Sequence, residues 1–184
     1  KEQHNLSLKH QEWLRNKFKN VETCLVDLDE VFKSFKNSLN QFGSEHGLAN
    51  SRARLRMTTL YQAAASSNGI VVGTGNKIED FGVGFYTKYG DGGVDISPIA
   101  DCTKSQVWEM GRHLGILDEI VLAQPTDGLW DDGRSDVKQL GMSYQELENA
   151  IKDPNSDGYK KYLEIRQKNL HKMKLIPVCK MKND

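Results

Sequence analysis

The chain has 184 residues, which is enough for one domain with a sizeable core. Its 25 basic and 25 acidic residues balance, so no overall field attracts nucleic acid or an anionic membrane, and any recognition must be local. The three cysteines, Cys24, Cys102 and Cys179, lie far apart, which argues against a disulfide framework or a zinc site and is typical of reduced cytoplasmic thiols. No apolar run is long enough to span a membrane.

The first part of the chain predicts a helix, a strand and a second helix. Apolar residues from Leu6 to Phe18 recur at helical spacing. The stretch VETCLVDL (21–28) is short, carries β-branched residues and is bounded by charge, as a buried strand is. Asp29 is a plausible N-cap for a second helix with one apolar stripe. The chain enters its first helix without an initiator methionine, so we expect it to start inside a longer protein.

A long third helix is predicted after a glycine-containing break. Asn50 or Ser51 is its expected cap, and Gly69 marks its end. IVVGTG (70–75) follows as a β-branched run that closes on small residues. This order of helix, strand and Gly-rich turn indicates a parallel α/β sheet with right-handed crossovers. Because ligands bind at the carboxyl ends of strands in such sheets, residues 74–76 are the first candidate site.

The second half of the chain predicts helices around one long loop. CTKSQVWEMGRHLGI (102–116) suits a helix, SYQELENAI (143–151) carries a capping-box pattern, and a basic helix opens at Ser156 or Asp157. Between the first two helices, residues 124–141 form a polar segment with three glycines. Segments of this kind in compact domains are usually functional lids or disordered.

Several polar side chains have a functional and a purely structural interpretation. Lys104 follows the cap Thr103 in the first helical turn, where the macrodipole disfavours a cation, so it either grips phosphate with the helix N–H groups or is a solvated surface lysine. Glu79 is either a hard oxygen ligand for Mg²⁺ or a surface carboxylate. His171 and Lys172 either grip an anion or complement the end of a basic helix.

The stretch FYTKYGDGGVDISP (85–98) combines aromatic, charged and glycine residues and fits no single periodicity. Its GDGG supplies backbone that can adopt positive φ and expose N–H groups. Its aromatic rings can stack on a flat ligand ring, and Lys88 or Asp95 can fix the polar edge of that ring. A glycine-rich hairpin is the alternative.

Taken in chain order, these motifs resemble one family. RARLRM, VVGTGN, Glu79, GFYTKYGDGGVDISPI, a helix opening on TK, QPTDGLW, SD, LGMSYQELE and a terminal LHK closely resemble ammonia-dependent NAD synthetase. The resemblance runs from about Asn50 to Lys172, and TKYGDGG is highly specific to that family. It implies a three-layer, Rossmann-like α/β fold of the adenine nucleotide alpha-hydrolase type, with a parallel sheet and helices on both faces. Residues 1–184 would be the C-terminal part of a single such domain, with the N-terminal strand region missing.

The resemblance also implies a reaction and its partners. Mg-ATP would adenylate the nicotinate carboxylate of deamido-NAD and release pyrophosphate, and ammonia would then displace AMP to give NAD. Such an enzyme is a cytoplasmic, homodimeric ligase that forms a C–N bond and uses ATP and Mg²⁺. Free ammonia is the expected donor for this chain, because it contains no glutaminase-like domain, and neither nucleic acid nor membrane is an expected partner.

The family's functional residues carry over motif by motif. Thr74, Lys104 and Thr126 would bind ATP, and Lys104 would be the catalytic cation that neutralises phosphate charge as pyrophosphate leaves. Glu79 resembles the family's magnesium ligand. Five residues would contact deamido-NAD, namely Arg54, Lys88, Asp95, His171 and Lys172.

Some positions depart from the family pattern. Many members have GTDHAAE where this chain has GTGNKIE, so their aspartate is Gly75 here, and one residue is inserted before TKYGDGG. The NK form resembles another branch of the family. The mobile loop usually carries SDE, whereas this chain has Val137 at the third position. The contacts that close the loop are therefore in question.

One motif of the family is absent from these 184 residues. The ATP pyrophosphatase loop, S-G-G-x-D-S, does not occur in the sequence, so we expect this chain alone to be inactive and its parent gene to encode on the order of 30 or more residues upstream. Two alternatives remain open. One is a catalytically incomplete fragment that binds nucleotide or dimerises, and the other is a different amide ligase of the ATP pyrophosphatase group.

Overall fold

The computed structural model describes residues 2–130 and 132–181. Within these ranges a 3₁₀ turn covers Asn40–Phe42 and a π-helix covers Glu79–Val83. The same ranges contain eight α-helices, which are α1 (Glu2–Lys17), α2 (Asp29–Ser38), α3 (Glu45–Ser66), α4 (Lys104–His113), α5 (Asp118–Val121), α6 (Asp136–Leu140), α7 (Tyr144–Lys152) and α8 (Tyr159–Met173). None of the helices in the described part is long and apolar enough to cross a membrane.

The predicted parallel sheet is reduced to one contact. Val72 and Ile96 form an isolated parallel bridge, in which Gly73 N donates to the Ile96 carbonyl at 2.7 Å and Asp95 N donates to the Val71 carbonyl at 2.9 Å. The strand predicted at 21–28 is wrong for the described residues. A strand needs a partner strand for its N–H and C=O groups, and among the described residues no backbone hydrogen bond joins this segment to another strand. The sheet itself stays a prediction.

The helix starts show which capping signals the chain uses. Helix α3 begins earlier than predicted, because Ser44 takes the N-cap position and its hydroxyl accepts from Gly47 N at 3.2 Å. The predicted caps of α4 and α7, Thr103 and Ser143, are confirmed, and each closes a complete capping box. Helix α8 begins at Tyr159, slightly later than predicted. Lys104 is therefore the first residue of α4.

The π-helix lies at the centre of the apolar core. Its Val83 and the preceding Ile78 are fully buried, and they join buried residues of α6, α7 and α8 in one cluster. Arg166 of α8 donates to the carbonyls of Phe81 and Gly82, which ties the π-helix to α8. Since the π-helix begins at Glu79, this packing fixes the position of a predicted functional residue.

Candidate active site

A cavity of about 800 Å³ opens beside the π-helix and the start of α4. Its wall includes Thr74, Glu79, Lys104 and Thr126, the four residues predicted to handle ATP and magnesium. They come from the GTGN turn, the π-helix, α4 and the long polar loop. The volume lies within the range of small-molecule sites, roughly 300–1,000 Å³. The structure thus brings this set together in one cavity.

Glu79 is the hub of the cavity wall. Lys104 Nζ donates to Glu79 Oε1 at 2.8 Å, and the two side chains are only 16% and 15% exposed. The Tyr144 hydroxyl contacts the same oxygen, and the Asn76 side-chain amide donates to Oε2. Lys104 is therefore neither a free surface lysine nor pointed into solvent, because a carboxylate offsets the macrodipole penalty at its position.

Asn76 explains why Glu79 sits where it does. The Asn76 side-chain oxygen accepts from the backbone N–H of Ile78 at 2.9 Å and of Glu79 at 3.1 Å. These are donors that the start of a helix leaves unsatisfied. Asn76 is itself buried, and its amide donates to Glu79 Oε2. One buried side chain thus caps the π-helix and orients the carboxylate.

A second carboxylic acid reaches this hub through Tyr144. The Tyr144 oxygen lies 2.8 Å from Asp136 Oδ2 and also contacts Glu79. A hydroxyl has one hydrogen, so it cannot donate fully to two carboxylates. Burial raises the pKa of Asp136, with a further contribution from the charge of Glu79. The Tyr144 hydroxyl therefore shares its one hydrogen between Asp136 Oδ2 and Glu79 Oε1.

Asp80 supplies a carboxylate to the same cavity from the second residue of the π-helix. The pKa of Asp80 is raised to about 7, chiefly by burial and also by the negative charges of Asp91 and Glu79, against the opposing effect of Lys172. Across the described residues, the Asp80 carboxylate accepts no side-chain or backbone hydrogen bond. Asp80 and the Oδ1 atom of Asp136 are thus two acceptors of the wall without a hydrogen-bond partner among the described residues.

The residues present suit a magnesium ion that is shared with phosphates. No group of three or more Asp, Glu, His or Cys residues poised for a metal occurs in ranges 2–130 and 132–181. Mg²⁺ is commonly held by one or two carboxylates together with substrate phosphates and water. Glu79 can supply such an oxygen, although Lys104, Tyr144 and Asn76 now engage it. The donor set therefore fits a substrate-dependent ion.

The residues predicted to hold deamido-NAD lie outside the cavity wall. Lys172 Nζ donates to the carbonyls of Gly84 at 2.8 Å and Tyr86 at 2.7 Å. Lys88 Nζ donates to the His171 carbonyl at 3.0 Å. These contacts join the start of the TKYGDGG segment to the end of α8. They gather Lys88, His171 and Lys172 in one region, with the two lysines turned to main-chain carbonyls.

Arg54 and Asp95 also have partners within the chain. The Arg54 guanidinium donates to the Lys88 carbonyl at 3.3 Å, so it joins the same region. Asp95 instead accepts from Val71 N at 2.7 Å and from the Tyr61 hydroxyl at 3.2 Å. Its carboxylate therefore braces the isolated bridge near Val72. Of the aromatic residues in 85–98, only Phe85 lines the cavity.

The long polar loop is ordered around Thr126. The Thr126 hydroxyl donates to the Arg134 carbonyl at 2.9 Å and accepts from Gly128 N at 3.3 Å. Asp136 N donates to the Pro125 carbonyl at 3.1 Å, so the start of α6 closes the loop. Val137, the departure from SDE, is 37% exposed and makes no polar contact in its side chain.

Sequence reasoning predicted no role for four side chains in or next to the cavity, namely Asn76, Asp80, Asp136 and Tyr144. Asn76 was readable, because Asn followed three residues later by a glutamate resembles a capping box. Asp136 and Tyr144 lie in the SD and LGMSYQELE motifs, but no role was predicted for their side chains, and Asp80 carries no such signal. Their role depends on the π-helix and on the packing of α6 and α7 against it, which are long-range features.

Comparisons with known proteins show which family this chain is similar to. The sequence model described as NAD synthase matches residues 2–184. A curated NH(3)-dependent NAD(+) synthetase from Carboxydothermus hydrogenoformans is 41% identical over 136 residues, which cover 72% of this chain and 55% of that protein. Its counterpart from Archaeoglobus fulgidus is 33% identical over 169 residues, which cover 89% of this chain and 67% of that protein. The chain thus spans between half and about two thirds of these relatives.

One solved structure is similar over almost the whole chain. NMN synthetase from Francisella tularensis superposes with a TM-score of 0.87 at 30% sequence identity, covering 97% of this chain and 73% of that chain. This similarity is consistent with the predicted fold class.

Proposed function

The chain belongs to the NAD synthase family, and on that premise we propose that its full-length parent amidates a nicotinate nucleotide with ammonia at the expense of ATP. The preferred substrate is deamido-NAD, and the products are NAD, AMP and pyrophosphate. The observation that carries the proposal is the convergence of Thr74, Glu79, Lys104 and Thr126 on one cavity. Residues 1–184 would be the C-terminal part of the catalytic domain of a cytoplasmic homodimer.

In this reaction the nicotinate carboxylate attacks the α-phosphorus of ATP, and pyrophosphate leaves. Lys104 neutralises charge that develops on the phosphates, as preorganised cations do in phosphoryl and nucleotidyl transfer. Thr74 and Thr126 donate hydroxyl hydrogen bonds to phosphate oxygens. Ammonia then attacks the acyl carbon of the adenylate, AMP leaves, and a proton is lost from nitrogen.

Glu79 interacts with both Lys104 and Mg²⁺ in this scheme. It holds Lys104 in place before ATP arrives, and it is the proposed oxygen ligand for Mg²⁺. The bound ion would supply Lewis acidity towards the phosphates. Tyr144 and Asn76 keep the carboxylate oriented when Lys104 turns to phosphate. Arg54, Lys88, Asp95, His171 and Lys172 are the proposed contacts to deamido-NAD.

A second candidate is amidation of the mononucleotide to give NMN. The similarity to NMN synthetase covers 97% of this chain. In addition, Arg54 and Lys88 donate to main-chain carbonyls rather than lining the cavity. A smaller substrate needs fewer of these distant contacts.

One assay distinguishes amidation of deamido-NAD from amidation of the mononucleotide. The full-length parent is incubated with Mg-ATP, ammonium chloride and either deamido-NAD or the nicotinate mononucleotide, and the amidated product, AMP and pyrophosphate are quantified. We expect a higher kcat/KM with deamido-NAD. A preference for the mononucleotide selects the second candidate, whereas ATP turnover with a different carboxylic acid and neither nicotinate substrate would refute the family-based proposal. Residues 1–184 alone should bind nucleotide without turnover.

A further inference from the structure

Helix α1 contributes a part of the cavity wall that is distant in sequence from the residues proposed for ATP. Its residues Gln3, Leu6, Ser7 and His10 line the cavity. Their separations of three and four residues place them on one face of the helix. The proposed reaction assigns no role to this face, although it borders the same space as Lys104.

His10 brings an unused hydrogen-bonding atom to this wall. Its Nδ1 atom is buried and has no hydrogen-bond partner among the described residues. The imidazole ring stacks on Trp13, with 5.6 Å between the ring centroids and 13° between the ring planes, so its orientation is set within α1. A buried polar atom without a partner lowers stability. A ligand group that paired with Nδ1 in the cavity would therefore gain a hydrogen bond at a preformed position.

Contacts between helices place α1 towards the end of α4 that is opposite to Lys104. Lys17 Nζ donates to the Leu114 carbonyl at 2.7 Å, directly beyond the last residue of α4, and Lys9 pairs with Glu119 of α5. Lys104 is the first of the ten residues of α4, which rise by about 14 Å along the helix axis. The cavity thus extends from the start of α4 towards α1.

The wall between Lys104 and His10 includes large apolar side chains. Leu6 of α1, Ile120 of α5 and Trp108 of α4 all line the cavity, and Trp108 follows Lys104 by about one helical turn. A nucleoside triphosphate has a charged end and a flat ring with apolar faces. When its phosphates contact Lys104, its base lies along this apolar wall, and the polar edge of the base reaches His10.

We propose that His10 accepts a hydrogen bond from the 6-amino group of ATP and thereby selects adenine over guanine. In a neutral imidazole one ring nitrogen is a donor and the other an acceptor, so a hydrogen on Nε2 leaves Nδ1 as the acceptor. Guanine carries a carbonyl oxygen at the same ring position, and two acceptors would then face each other. This inference rests on the proposed function, because it takes ATP as the nucleotide of this cavity.

The test compares ATP with purine riboside triphosphate, an analogue that lacks the 6-amino group, by isothermal titration calorimetry on the full-length parent. The wild type should bind ATP roughly three- to tenfold more tightly than the analogue, the effect of one hydrogen bond. It should also prefer ATP over GTP by more than about tenfold. H10F keeps a ring that can stack on Trp13 but has no ring nitrogen, so it should bind ATP and the analogue within about twofold of each other.

Two further variants test which ring nitrogen acts. The amide of H10N lies close to the position of Nδ1, whereas the longer side chain of H10Q reaches towards the position of Nε2. H10N should therefore keep at least about a threefold preference for ATP over the analogue, and H10Q should lose it. The control is H113F, at an exposed histidine of α4 outside the cavity wall, which should keep the preference of the wild type.

The outcomes that overturn the assignment are separate from turnover. If H10F has the melting temperature of the wild type and the same preference for ATP over the analogue, His10 does not contact the base. If H10F raises the KM for the nicotinate nucleotide and leaves ATP binding unchanged, a different ring binds beside His10. Where H10F fails to fold, equal preferences in H10N and H10Q would refute the assignment.

Failure of the proposed function gives a different result. A wild-type protein that binds ATP with the expected preference over the analogue, but amidates neither nicotinate nucleotide, would refute the proposed function and support the role of His10.

Discussion

The ion pair between Lys104 and Glu79 allows the structural and catalytic roles of Lys104 to be separated. Its N to O distance is 2.8 Å, and the two side chains are only 16% and 15% exposed. Breaking a fully buried pair costs about 3–5 kcal/mol, whereas exposed pairs contribute about 0–1 kcal/mol. Because Asn76 and Tyr144 still serve Glu79, we expect K104M to lower the free energy of unfolding by about 2 kcal/mol.

A double-mutant cycle isolates the pairing energy. In K104M/E79Q neither charge remains unpaired, so stability should return to within about 1 kcal/mol of the wild type, with a coupling energy of roughly 1–2 kcal/mol. The control is K77M, whose 2.9 Å pair with Asp101 is 43% and 96% exposed and should contribute less than about 1 kcal/mol. Urea denaturation of the full-length parent measures the free energies of unfolding of the wild type, K104M, E79Q and K104M/E79Q, which complete the cycle, and of the control K77M.

Activity should follow a different pattern from stability. If Lys104 stabilises phosphate charge, K104M lowers kcat by about 10²- to 10³-fold, and K104M/E79Q stays equally inactive while its stability recovers. Strictly additive unfolding energies would refute the pairing argument. Recovery of kcat in the double variant would refute the catalytic role, because it would show that Lys104 acts only by neutralising Glu79.

Three further predictions concern local features and are checked by urea denaturation. T103A should lose about 1 kcal/mol, because the α4 capping box loses its hydroxyl, while T58A in the exposed middle of α3 should be near neutral. G84A should cost about 1–3 kcal/mol or more, since φ is +67° and the new Cβ would lie 2.7 Å from Asn169 Cβ, whereas G115A, with open space around it, should show the backbone strain alone. D136N should gain stability relative to the wild type as pH rises above about 4, the ordinary pKa of an aspartate, because the raised pKa of Asp136 in the folded state means that its ionisation destabilises that state. A constant difference would contradict this.

Local signals in the sequence predicted local structure well. Thr103 and Ser143 are complete capping boxes, because hydroxyl and amide chemistry at a helix start acts over three or four residues. The strand at 21–28 failed for the opposite reason. Its apolar pattern predicts burial but does not specify the partner against which it would be buried. Leu25 is 73% exposed in the structure. Strand formation depends on a partner that local sequence does not supply.

The residues proposed for ATP could also be predicted from local signals. The GTGN turn and the start of α4 were recognisable, and both reach the cavity. The π-helix was not, because an inserted residue in a helical pattern looks like a change of phase and not like a wide turn. Asp80 was accordingly overlooked, although it lies one residue after a predicted magnesium ligand.

The basic residues proposed for the nucleotide show why a motif does not fix a contact. Arg54, Lys88 and Lys172 all donate to main-chain carbonyls at distances between 2.7 and 3.3 Å. A carbonyl is a neutral acceptor, whereas a carboxylate or phosphate adds the attraction between opposite charges to the hydrogen bond. An anionic ligand would therefore compete directly with these internal bonds. The same side chains donate in the structure described and in the proposed nucleotide complex, so the present contacts and the proposed ones are alternatives. Substituting Lys88 should therefore weaken nucleotide binding and also weaken the contact between the TKYGDGG segment and α8.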